Sequence, residues 1–215
     1  MLPEIFADLC ALRLAGPAFA ECLLQLLLLP AQTVKIYNGD DPHPTPYVRM
    51  LLLFAYIRTL GTSPAIVDHA TTLENDWRAL YGASTGLPAL DAYAQDLRTV
   101  FEALMDTPLP PLQNHAMRDL LPFEDADDAR IRNAVNYFRS GQNRPRMLPL
   151  RHVPSAARLA VAADDHAGTL TPAQGKAIHG RVVEFVADTA PSGLRGGGVM
   201  DHEQFIASFA SRMNI

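Results

Sequence analysis

Lysine is almost missing from this 215-residue chain: Lys35 and Lys176 are the only two among 18 basic residues, which leaves 16 arginines. Arginine forks suit bidentate pairing with carboxylates or phosphates. Positive charge as a whole is outnumbered by 23 acids, giving a net charge of −5 and a pI near 5.8. That balance argues against a surface given over to gripping phosphates. Cysteine is scarce too. Cys10 and Cys22 form no CxxC pair, so neither a zinc site nor a secreted disulfide framework is specified. On helices both are expected as small buried apolar residues. Long hydrophobic runs are lacking: Cys22 to Leu29 includes Gln25 and stops at Pro30, far short of a membrane span. The start Met1-Leu2-Pro3-Glu4 has no basic region, so no signal peptide is expected. What remains is ordinary globular composition, 48% apolar and 19% charged, as expected of a soluble intracellular protein.

Helical punctuation is dense. Thr45-Pro46, Ser63-Pro64 and Thr171-Pro172 each place a hydroxyl N-cap before a proline at the first helical position, where its missing N–H costs nothing. Gln174 completes a capping box with Thr171. Apolar residues recur every three or four positions in Ile66, Ala70, Leu73, Trp77 and Leu80, and again in Leu90, Tyr93, Ala94, Leu97, Phe101 and Leu104. These predict helices over 64–80 and 88–105, and Ile5, Phe6, Leu9 and Leu12 predict one over 3–15. Residues 46–60 are apolar on nearly all sides from Met50 to Ile57, which predicts a central helix enclosed by others. No stretch alternates with period two for long enough to suggest a sheet. The fold class is therefore all-α: a multi-helix core over 1–122, a connecting segment over 123–153 and a smaller helical appendage over 154–215.

The connecting segment is acidic and then basic. Glu124, Asp125, Asp127 and Asp128 precede Arg130, Arg132, Arg139, Arg144, Arg146 and Arg151. Ile131 to Phe138 reads as helical, and the Pro-, Asn- and Arg-rich stretch after Gly141 as a linker. The six arginines are the candidate contact for RNA or an acidic partner, but beyond Tyr137 and Phe138 no aromatic platform for base stacking interleaves them. Such a run is more often a solvated face or an acidic-partner contact.

Catalytic chemistry is sought and mostly not found. Gly82-Ala83-Ser84-Thr85-Gly86 fits G-x-S-x-G, but that motif works on a strand–turn–helix corner, and here a helix precedes it. Ser84 is therefore expected not to be a nucleophile. The seven histidines show no metal-ligating spacing, and no cofactor is implied. Arg158–Ile178 and Gly198–Met213 are similar to two degraded helix–loop–helix units of the EF-hand kind, plain helical packing being the other reading. Gln174 and Gln204 stand where bidentate acids would be, so no calcium binding is expected.

Five segments in order carry a family resemblance over residues 17–114. They are the apolar run from Pro17 to Pro30, then Lys35-Ile36-Tyr37-Asn38, then Pro46-Tyr47-Val48-Arg49-Met50-Leu51 with Tyr56-Ile57-Arg58-Thr59-Leu60-Gly61-Thr62. Asn75-Asp76-Trp77-Arg78 and Leu109-Pro110-Pro111-Leu112-Gln113 follow. Together they resemble the pre-mRNA-splicing factor 38 family. The two Tyr-x-Arg triplets stand one residue further apart than in that family, the family's N-terminal stretch and Arg-Ser tail are missing, and 123–215 has no counterpart in it. The resemblance implies a nuclear, non-enzymatic scaffold of the pre-catalytic spliceosome, needed for its activation, that binds short helical or extended segments of other splicing proteins. Tyr47, Arg49, Arg58, Asp76 and Arg78 are the implied docking rim, with Trp77 in the core. RNA contact is not indicated by the net charge, and no membrane is involved. A generic helical adaptor outside splicing remains the other reading.

Overall fold

In the computed structural model, residues 2–37, 44–84, 86, 88–92, 96–166 and 168–189 are described, and they contain helices and turns without a β-strand. The helices are α1 (Leu2–Ala15), α2 (Ala18–Leu26), α3 (Ala31–Val34), α4 (Pro46–Ile57), α5 (Pro64–Tyr81), α6 (Pro88–Asp91), α7 (Leu97–Phe101), α8 (Met117–Leu120), α9 (Asp125–Ser140), α10 (Val153–His166) and α11 (Pro172–Thr189). The all-α class holds.

Helix α4 starts as its punctuation demands, with the Thr45 hydroxyl accepting from the Val48 N–H at 3.3 Å and Pro46 in the first turn. It buries Tyr47, Val48, Met50, Leu52, Leu53, Phe54, Tyr56 and Ile57, and packs on α1, α2, α5 and α7. The capping box also forms: Gln174 N–H donates to Thr171 Oγ1 at 3.2 Å, and Thr171 N–H to Gln174 Oε1 at 2.8 Å.

The start of α5 differs from expectation. Ser63 makes no side-chain cap; the orphan N–H groups of Thr62 and Ser63 donate instead to Asp125 Oδ1, at 2.9 and 3.0 Å. Gly61 makes this approach possible, because a Cβ there would collide with the Asp125 carboxylate. Helix α5 buries Ile66, Ala70, Leu73 and Trp77 as predicted, but Leu80 is 60% exposed. Tyr81 takes its place, its ring 4.4 Å from the Trp77 centroid and its hydroxyl on Leu29 O at 2.9 Å.

Two other expectations need correction. The helix predicted over 88–105 is broken into α6, α7 and a π-helical turn over Glu102–Asp106, with Tyr93 and Ala94 outside the described residues. Cys22 is exposed and Cys10 half-buried, so neither is the buried residue expected.

Most of the predicted connecting segment is structure. Sixteen residues form α9, opened by a capping box between Glu124 and Asp127 and closed by Gly141 at φ +76°. Its face of Ile131, Ala134, Tyr137 and Phe138 is buried, and α10 and α11 both pack against it. Buried apolar side chains from α1, α2, α4, α5, α9, α10 and α11 join in one hydrophobic cluster. Helix α10 reaches back to α2, and the Ser155 hydroxyl donates to Ala15 O at the end of α1. Of the appendage, α10 and α11 are described; the second EF-hand-like unit, Gly198–Met213, lies outside the described residues.

Candidate functional site

A cavity of about 370 Å³ opens between α4 and α5, roofed by the chain that follows α5. One wall is apolar, made by Val48, Leu51, Ala55 and Leu97. The facing wall is an ion-pair triad. Glu74 lies between Arg58 and Arg78, each 2.7 Å from one of its oxygens, while Arg78 also donates to Ala83 O at 3.0 Å. Burial opposes ionisation of Glu74, but the hydrogen bonds from Arg78 and Arg58 and their charges outweigh it and hold the carboxyl below its usual range. The triad thus presents fixed, ionised groups of both signs opposite an apolar face.

Three of the five predicted rim residues, Tyr47, Arg58 and Arg78, come together here; two do not. Tyr47 contributes as a buried wall and not as an exposed rim. It is 1% exposed, its ring lies 6.4 Å from that of Trp77, and its hydroxyl donates to Gly82 O at 2.6 Å. Burial pushes its phenol pKa up. Arg49 faces α1, where it forks onto the buried Asp8 carboxylate and lies 3.4 Å from Glu4. It is a clamp between α1 and α4. Asp76 is exposed on α5 and lines no part of the cavity.

The roof adds residues that the sequence did not mark as a group. Lys35 sits 5.1 Å above the Tyr47 ring and donates to Ser84 O at 2.6 Å. The Ser84 hydroxyl donates to Asp91 at 2.6 Å and accepts from the Gly86 N–H at 3.0 Å. Ser84 therefore follows a helix and pins a loop, and no strand precedes it among the described residues. Lys35 and Ser84 could not be paired from sequence, being far apart in it, whereas Glu74 and Arg78 stand at the i,i+4 spacing of a helical ion pair.

The arginine stretch is largely neutralised within the chain. Arg130 pairs with Asp127 at 2.9 Å, Arg132 with Asp128 at 2.7 Å, Arg139 with Asp164 at 2.9 Å and Arg144 with Asp188 at 2.7 Å. Arg151 donates to Pro122 O at 3.2 Å and lies 4.0 Å from Asp127. Arg146 alone of the six pairs with no acid among the described residues. Tyr137 and Phe138, the two rings within this stretch, are 6% and 0% exposed and belong to the core.

Among the described residues no group of His, Cys, Asp and Glu is arranged to hold a metal ion, and no helix is long and apolar enough to cross a membrane. No protein-family model, curated protein or solved structure matches the chain.

Proposed function

We propose that the protein is a nuclear, non-enzymatic helical scaffold of the pre-catalytic spliceosome, needed for its activation. Its α4–α5 cavity docks a short helical or extended segment of another splicing protein. The splicing assignment rests on the five ordered sequence segments alone. The docking assignment rests on one observation: an apolar wall of Val48, Leu51, Ala55 and Leu97 facing the Arg58–Glu74–Arg78 triad. Helix-in-groove recognition uses that combination, because apolar contact supplies affinity and charged rims set register. The serine is read as part of the roof.

The test is a pull-down from nuclear extract with wild type, Leu51→Asn and Ser84→Trp, with the bound proteins and RNAs identified and each variant's melting curve recorded. Leu51→Asn spoils the apolar wall. Ser84→Trp blocks the mouth from an exposed position without touching the core. Spliceosomal proteins should be recovered by wild type and lost with both folded variants. Recovery of a protein set without splicing factors would make the chain an adaptor outside splicing. Full recovery by both variants would move the docking site elsewhere. Recovery of RNA without protein would favour the arginine stretch as an RNA contact.

A further inference from the structure

A second cavity, of about 400 Å³, shares no residue with the first and has the opposite character. Arg130, Asn133 and Asn136 line it from one face of α9, and Asn143, Arg146 and Met147 from the chain after Gly141. No acidic side chain and no aromatic ring lines it.

The chain facing α9 is held in place by groups pointing elsewhere. Gly141 turns the chain at φ +76°, and Arg181 donates to Phe138 O and Arg139 O, at 2.7 and 2.8 Å, which ties down the end of α9. Arg144 lies over the Tyr137 and Phe185 rings, 6.0 and 5.4 Å from their centroids, and pairs with Asp188. Leu148 is buried in the hydrophobic cluster. Asn143, at φ +56°, adopts the left-handed conformation that asparagine tolerates better than most residues. Between these anchors Asn143 and Arg146 are left on the side of α9.

The chemistry of this lining is specific. A carboxamide both donates and accepts, as a peptide group does. Residues three apart on a helix stand about 5–6 Å from each other. Alternate residues of an extended strand repeat at roughly 6.5 Å, close enough for Asn133 and Asn136 to meet successive peptide groups facing one way. The side chains of Asn133, Asn136, Asn143 and Arg146 make no hydrogen bond to another described residue, so their capacity is unspent. Met147, 80% exposed, adds an apolar contact at the margin.

We propose that this cavity holds an extended acidic segment of a partner protein, its backbone paired with the asparagine carboxamides and a carboxylate on Arg146. Single-stranded RNA fits less well, because sequence-tolerant RNA binding uses stacking rings and none lines the cavity.

The test follows the asparagine side-chain amide signals in a nitrogen-15 NMR spectrum of the 215-residue chain, assigned by single substitutions. The probes are a capped peptide of alternating glutamate and valine, the same peptide N-methylated at every valine, and a uridine oligonucleotide. The first peptide should shift the amides of Asn133, Asn136 and Asn143. Arg146→Glu and Asn133→Leu, both at exposed positions, should each weaken its binding about tenfold or more with an unchanged melting curve. N-methylation should abolish the shifts. Silence of these three amides, binding indifferent to N-methylation, or equal binding by Arg146→Glu would each overturn the proposal. So would shifts produced by the oligonucleotide and not by the peptide.

Discussion

Trp77→Ala tests the packing argument at its most exposed point. Trp77 is the chain's only tryptophan, fully buried on α5 between the rings of Tyr47 and Tyr81. Truncating it removes the largest side chain in the core and leaves a void whose walls, a helix and two aromatic rings, cannot collapse freely. Buried tryptophan-to-alanine changes cost about 3–5 kcal/mol. In a domain of this size each kcal/mol lowers Tm by roughly 2–4 °C, so a fall of about 6–20 °C is expected. A second substitution refines the reasoning. The Trp77 indole N–H is buried with no hydrogen-bond partner among the described residues. Trp77→Phe discards that unpaired donor while keeping most of the ring, and leaving a buried donor unmade costs about 1–3 kcal/mol. The phenylalanine variant should therefore lose less than about half of what the alanine variant loses. Urea titration followed by far-ultraviolet circular dichroism measures both, since the fluorophore is gone. A Trp77→Ala midpoint within error of wild type would refute the burial, and a Trp77→Phe loss equal to that of alanine would refute the role of the unpaired N–H.

Two further outcomes are expected. Arg49→Glu sets a third carboxylate against buried Asp8 and half-buried Glu4 and should cost about 3–5 kcal/mol, as breaking a buried pair does. Asp76→Arg, on an exposed position, should change stability by less than about 0.5 kcal/mol; urea midpoints for the two variants check the contrast. The third expectation concerns pH. Burial lowers the pKa of His152, against the raising influence of Asp127, so below about 6.5 the unfolded chain takes up a proton that the folded chain refuses. Stability should be full above that value and decline as pH falls toward the folded-state pKa. His152→Leu should flatten the decline measured by urea titration between about pH 7.5 and about pH 5.5; an unchanged slope would mean that His152 is not the group responsible.

The helices with hydroxyl–proline starts were legible because cap and period are local properties. Thr45-Pro46 and Thr171-Pro172 needed nothing beyond their own neighbours. Ser63-Pro64 looked identical in sequence, yet its cap comes from Asp125, sixty-two residues away, through a gap that only Gly61 leaves. The same distance problem hid the role of Arg49, whose partner Asp8 is forty-one positions off. Helix α9 was legible in its second half, Ile131 to Phe138, while its first turns carry a signal that is equally local. Asp127 to Arg130 and Asp128 to Arg132 stand at i,i+3 and i,i+4, the spacing of helical ion pairs. The switch from acid to base along 124–132 is a helix start with its own counter-charges. Of the first cavity, Glu74–Arg78 was readable in this way, whereas Arg58 and Ser84 reach it, and Lys35 braces Ser84, only through the fold.

The preference for arginine over lysine acquires a physical reason from these contacts. Arg13 donates to Leu121 O at 2.6 Å and Arg118 O at 3.2 Å, Arg181 to two carbonyls of α9, and Arg49 to both oxygens of Asp8. Arg13 and Arg49 each use two nitrogens of one planar fork at once, a geometry that a single ammonium on a flexible stem does not hold, whereas both Arg181 bonds come from one terminal nitrogen. Guanidinium groups thus serve as ties between segments distant in sequence, and those that tie to a carboxylate, as Arg49 does to Asp8, are neutralised as well. The consequence bears on function. In the segment where sequence showed six arginines in a row of basic character, the folded chain leaves Arg146 as the one without an acidic partner among the described residues, beside three unspent carboxamides. Recognition by such a surface depends on where a partner's carboxylate falls, because little long-range positive field is left to draw polyanions of any kind toward it.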